Sequence, residues 1–254
     1  MVGLRPGVGG EAVTIRLFDR LEGEARLDER QFSPGLQAEL ARVLASPHGV
    51  LLFAGPSASG KTTTLYTALR MLLASAGGTR RALTVEDPVE YRLAGVVQLE
   101  PDPHRGVTGA ELLRAALRQD ADILVVGEAR DAESVALMLR AGLTGHLVLG
   151  TVHAGNAAEA WARLAELGAE PAVLGRAVRG ILAQRLLRRR CCAAGCPACG
   201  GTGHRGRTAV AELRVPDASW QAGAPADDGL RADAARLVAA GVVDAAEVER
   251  VLGR

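Results

Sequence analysis

Four short apolar runs recur along the middle of the chain: Val50–Ala54, Ala82–Val85, Ile123–Val126 and Leu147–Val152. Each is continuous rather than alternating, the pattern of strands buried on both faces. Segments of helical period separate them, at Thr62–Ala74, Gly109–Arg118 and Ala132–Ala141. Strands alternating with helices predict a mostly parallel sheet covered on both sides, an α/β fold. Each run ends in a cluster of small or polar residues, at 55–63, 86–90, 127–131 and 153–156. In such sheets ligands sit beyond the carboxyl ends of the strands, so the four clusters are expected to meet at one site.

Outside this region the pattern is weaker. Ala12–Phe18 alternates as a short strand, Asp19–Pro34 reads as a turn-rich linker, and Ala38–Ala45 as a short amphipathic helix. Val173–Leu187 has helical period, and Arg188–Gly206, rich in Arg, Cys and Gly, is expected to be irregular. Leu230–Leu252 predicts one or two small helices broken at Gly241. These changes divide the chain into residues 1–33, a core over 34–190, and a small cysteine-containing and helical module over 191–254.

Composition narrows the function. With 48% apolar residues the 254-residue chain can bury a substantial core. A net charge of +1 and 3% aromatics argue against a general nucleic-acid binder. Nothing near Met1 resembles a signal peptide, and the long uncharged stretch Ala141–Ala158 is too polar to span a bilayer, so a cytoplasmic protein is expected. All four cysteines lie between Cys191 and Cys199, which in a reducing compartment favours metal over disulfide. Lys61 is the only lysine among thirty basic residues.

That lysine closes the strongest motif. Gly55, Pro56, Ser57, Ala58, Ser59, Gly60, Lys61 and Thr62 fit G-x-x-x-x-G-K-[ST], with an apolar strand before and a helix, continuing through Thr63, after. Loop N–H groups cradle phosphates, Lys61 adds a point charge to them, and the Thr62 hydroxyl is placed to ligate Mg²⁺. Asp122–Glu128 is an apolar strand ending in a carboxylate, suited to orienting a Mg²⁺-bound water. Glu86, Asp87 and Glu90 gather three acids around Pro88; one of them could position or deprotonate an attacking water, or all could form a solvated turn. His146 and His153 bracket a strand at an odd offset that places them on opposite faces, one a candidate sensor of the terminal phosphate, the alternative being ordinary strand-end residues. Arg185 and Arg188–Arg190 read as a solvated helix end.

Together GPSASGKTTTLY, LTVEDPVEY, LRQDADILVVGEARD and TGHLVLGTVHAGNAAEAWARL, in this order, resemble the Walker A, aspartate, Walker B and histidine boxes of the type II/type IV secretion ATPase superfamily. The resemblance continues through AQRLLRR, CPACGGTGHRGR and AAGVVDAAEVERVL, nearly the whole chain. It implies a RecA-like P-loop core in a homo-hexamer or mixed ring, binding ATP and Mg²⁺. It further implies docking on an inner-membrane secretion or pilus platform, peripheral to the membrane through partners and without direct nucleic-acid contact. By the same resemblance Glu90 is the general base, Glu128 the Walker B acid, His146 and His153 the histidine-box pair. Arg16 matches an arginine that reaches the nucleotide from a preceding domain, of which residues 1–33 look like a remnant.

Three departures stand out. Ala58 occupies a place where the family has glycine, and alanine tolerates positive φ less well. Against the family's pattern, only the end of the preceding domain is expected in this sequence, without the other arginines that act in trans. Cys191 and Cys192 are adjacent, with Cys196 and Cys199 following, instead of two separated pairs; four thiolates suit tetrahedral zinc, the alternative being a metal-free vestige. Two other functions share these motifs: a truncated paralogue that binds nucleotide without hydrolysing it, and a DNA-uptake or conjugation motor.

Overall fold

The computed structural model describes residues 2–8, 10–15, 32–191, 196–217, 220 and 229–253. It opens on an antiparallel hairpin of β1 (Val2–Gly7) and β2 (Gly10–Ile15). The strand expected over Ala12–Phe18 is present through Ile15; Arg16 and most of the expected linker lie outside the described residues.

A seven-stranded sheet forms the body. Its strands are β3 (Gly49–Ala54), β4 (Ala82–Val85), β5 (Val96–Leu99), β6 (Ile123–Val126), β7 (Leu147–Val152), β8 (Val178–Arg190) and β9 (His204–Arg214), in the order β5-β4-β6-β7-β3-β8-β9. All neighbours are parallel except β8 and β9. The helices are α1 (Pro34–Leu44), α2 (Lys61–Ser75), α3 (Gly109–Ala116), α4 (Ala132–Leu143), α5 (Ala157–Glu166), α6 (Pro171–Ala177), α7 (Gly229–Ala239) and α8 (Ala245–Leu252).

The period of two along a strand explains why the core strands read as unbroken apolar runs. Val50, Leu52, Leu124, Val126 and Val148 face Leu113, Met138, Trp161 and Leu174 of α3 to α6. The intervening Leu51, Phe53, Ile123, Val125 and Leu149 face Leu40, Leu65 and Leu69 of α1 and α2. Polar residues fix where helices start. Ser33, Asp131, Asn156 and Asp244 each accept a backbone N–H at a helix start, and Thr108 with Glu111 forms a full capping box.

The segment read as helical over Val173–Leu187 is only briefly so. α6 ends at Ala177 and the chain becomes the thirteen-residue strand β8. Its apolar residues Val178, Ile181, Leu182 and Leu187 satisfy either period locally, and pairing with β3 on one side and β9 on the other decides the outcome. The region expected to be irregular is likewise largely strand at its two ends, through Arg190 and again from His204. The sheet therefore extends into the part of the chain assigned to the small module. α7 and α8 do form the expected helix pair, with Gly241 between them. Among the described residues no helix is long and apolar enough to cross a membrane.

Candidate nucleotide site

β3 delivers the chain to the loop 55–60 at the carboxyl end of the sheet, and α2 begins at Lys61. Gly60 caps that helix at φ 86°, and a Cβ there would stand 3.0 Å from the Gln184 amide nitrogen, so both conformation and space call for glycine. Ala58 adopts φ 59°. The substitution thus leaves the left-handed turn in place, with alanine bearing its cost.

Lys61 Nζ donates to the carbonyls of Gly55 at 2.7 Å and Pro56 at 2.9 Å. Burial lowers its pKa; the charges of Glu128 and Glu90 oppose that shift, and Arg185 adds to it. The ammonium therefore lies within electrostatic reach of two of the acids singled out in the sequence. A cleft of about 1110 Å³ opens over the loop, and its walls include residues 57–63, Glu86, Asp87, Glu90 and Glu128. Three of the four clusters expected to converge do so here. The donor set fits a magnesium-bound nucleoside triphosphate: a glycine-rich turn before a helix N-terminus, one ammonium, one hydroxyl and several carboxylates.

The acids differ in their surroundings. Glu128, beyond β6, accepts from Arg130 Nε at 2.8 Å, and Arg130 also lies 3.5 Å from Asp87, linking two clusters. Glu86 is buried, accepting from the Tyr66 hydroxyl and, at 3.3 Å, from the Gln98 amide. A Cβ on Gly127 would meet the Glu86 Cα at 3.0 Å, so the glycine before Glu128 permits a close backbone approach.

The histidines separate. His153 is exposed just beyond the carboxyl end of β7. His146 precedes the same strand, with its ring Nδ1 3.3 Å from the Ala141 carbonyl. Six strand residues set the two about 20 Å apart, so the structure does not bring His146 to the cleft. Strand length decides this, where the odd offset spoke only of faces.

Several residues here escaped the sequence analysis. Gln184, fully buried in β8, donates to the Ser59 carbonyl at 2.7 Å. Its neighbour Arg185 is half-buried and donates to the Gly155 carbonyl at 2.5 Å, which corrects its assignment to a solvated helix end. Arg207 and Thr208 of β9 also line the cleft. A glutamine inside an apolar strand was the available signal, obscured because the segment read as helix.

The cysteines gather at the far end of β8. The sulfurs of Cys191, Cys196 and Cys199 lie within 4.8 Å of one another, with Cys191 to Cys196 at 3.1 Å. Cys192 lies outside the described residues. Zinc–sulfur bonds of about 2.3 Å in a tetrahedron place sulfurs roughly 3.8 Å apart, so three thiolates in this arrangement fit such an ion.

A sequence profile described as "Type II/IV secretion system protein" matches residues 2–234. The type II secretion system protein HxcR of Pseudomonas aeruginosa is 47% identical over 219 residues, covering 82% of this chain and 46% of that protein. The type IV pilus assembly ATPase PilB of Thermus thermophilus is 38% identical over 242 residues, covering 84% of this chain and 27% of that one. The chain thus spans about half the length, or less, of these relatives. Among solved structures, the Legionella pneumophila ATPase DotB matches 98% of this chain and 71% of its own at a TM-score of 0.71 and 22% identity, a likeness of fold. The pilus retraction motor PilT with bound ADP matches 93% of this chain and 64% of its own, at a TM-score of 0.67 and 26% identity.

Proposed function

The chain belongs to the type II/IV secretion system protein family, and from that membership we propose that it is the Mg²⁺-dependent ATPase core of a hexameric motor driving type II secretion or type IV pilus assembly. The observation that carries this reading is the convergence of the phosphate loop, Glu90 and Glu128 on one cleft. ATP seats its terminal phosphates against the loop N–H groups and the Lys61 ammonium. Thr62 and Glu128 would hold a magnesium ion, which would supply positive charge to the phosphate oxygens. Glu90 takes the proton of the attacking water, and Asp87 and Arg130 orient the acids around it. The Cys191, Cys196 and Cys199 thiolates would hold a zinc ion. The motor sits on the cytoplasmic face of the inner membrane through a platform protein.

Phosphate release and calorimetry test this directly. Lys61→Ala should abolish Mg-ATP uptake, and Glu90→Gln should bind ATP while turnover ceases. Wild-type turnover in Glu90→Gln would remove the base from that residue, and absence of any Mg-nucleotide uptake by folded wild-type chain would end the motor reading.

A further inference from the structure

We propose that Tyr66 and Gln98 are positioning residues that hold the segment carrying Glu90 against the phosphate-binding helix. This rests on the reading of Glu90 as the base. The segment 86–91 leaves β4 and has no regular structure of its own, so something else must fix where Glu90 points. Both ends of the segment are grasped by the same two side chains. Tyr66 is fully buried on α2, one turn after Thr62 and on the same helix face. Its hydroxyl donates to the buried Glu86 carboxylate at one end. Its ring meets Tyr91 at the other end, edge-on, with centroids 4.6 Å apart.

Gln98 makes the same span from β5. Its amide nitrogen donates to Glu86 at 3.3 Å and to the Tyr91 carbonyl at 3.2 Å, while its amide oxygen accepts from the Leu93 N–H at 2.7 Å. Glu100 adds a bond in the middle, accepting from Val89 N–H at 2.6 Å. Glu86 is thus a buried anchor with two neutral donors, and its backbone packs on Gly127 beside Glu128. The helix that starts at Lys61, the acid segment and the turn before Glu128 are registered to one another through this single carboxylate. Misplacing a base by about an ångström costs on the order of a hundredfold in rate, which is the function such a clamp serves.

Tyr66→Phe keeps the ring against Tyr91 and removes only the hydroxyl. Gln98→Met keeps length and removes all three amide bonds, and serves as the second variant should Tyr66→Phe not fold. In each, the turnover number for Mg-ATP should fall on the order of tenfold or more, while KM and the Kd for Mg-ADP stay within about twofold. Hydrogen exchange at the amides of 89–93 should accelerate, with 55–64 unchanged. Absence of either change overturns the proposal. So does an equal loss of affinity and turnover with exchange rising throughout α2, the mark of general loosening. Glu90→Gln separates the two claims: wild-type turnover there sinks the base reading, while exchange at 89–93 in the Tyr66 and Gln98 variants still decides whether the segment is held.

Discussion

Ala58 shows how a single residue bears a conformational cost for a site. At φ 59° it occupies a region where an L-residue is less stable than glycine by about 1–2 kcal/mol. Glycine would relieve that cost but lose about 0.5–1 kcal/mol through its freer unfolded chain. Ala58→Gly should therefore raise stability by about 0–1.5 kcal/mol. Ala58→Val, β-branched at positive φ, should lose about 2 kcal/mol. Chemical denaturation of the pair checks this, and equal midpoints would mean the turn is not left-handed at 58. Lys61 illustrates the opposite case. Its burial disfavours the charged form, and Glu128 and Glu90 offset that only in part. Its identity was plain in the motif, whereas its bonds to the Gly55 and Pro56 carbonyls follow only from how the loop folds back.

Among elements, β8 links the most distant parts of the fold. Gln184 grips the phosphate loop, Arg185 grips Gly155 before α5, Arg188 reaches Glu247 on α8, and the strand runs on to Cys191. Gln184→Met, which keeps the volume and deletes the bond to Ser59, should weaken Mg-ADP binding about tenfold by leaving the loop less ordered. Calorimetry on a variant with wild-type melting would show it; unchanged affinity would reduce Gln184 to a packing residue. At the other end of the strand, Cys199 is buried beside two further thiols. If zinc binds, chelation should lower the melting temperature, and Cys199→Ser should release the metal and match the chelated protein. Elemental analysis of purified chain decides whether metal is present at all. The contacts of Gln184, Arg185 and Arg188 are not accessible while the segment reads as a helix, because its residues fit two periods and only β3 and β9 as neighbours choose between them.

At the scale of the whole molecule, a buried acid helps tie the C-terminal helices to the sheet. Glu247 accepts from Arg250 at 2.6 Å and from the Arg188 backbone and guanidinium at 2.7–2.9 Å. Hydrogen bonds from Arg250, and then from Arg188, outweigh burial and hold its pKa far below the ordinary 4.5. A depressed carboxylate stabilises the fold fully above its unfolded pKa, and that stability is lost as pH falls below it toward the folded value. Glu247→Gln should therefore cost about 2 kcal/mol at pH 7. The gap to wild type should narrow as pH drops below about 4.5. Melting curves from pH 7 to 3 test the sign, and a gap that widens in acid would refute it.

The chain's residue pattern alone determined the alternating architecture, the phosphate loop and the gathering of acids at the strand ends, because burial on two faces and the loop-to-helix motif are local signals with fixed spacing. Which acids share the cleft with Lys61, why His146 does not, and how Glu86, Gln184 and Glu247 are held were decided only by tertiary structure. Those depend on strand length, on sheet order and on distant partners, 12 residues from Glu86 to Gln98, 59 from Glu247 to Arg188 and 125 from Gln184 to Ser59, which no local period encodes.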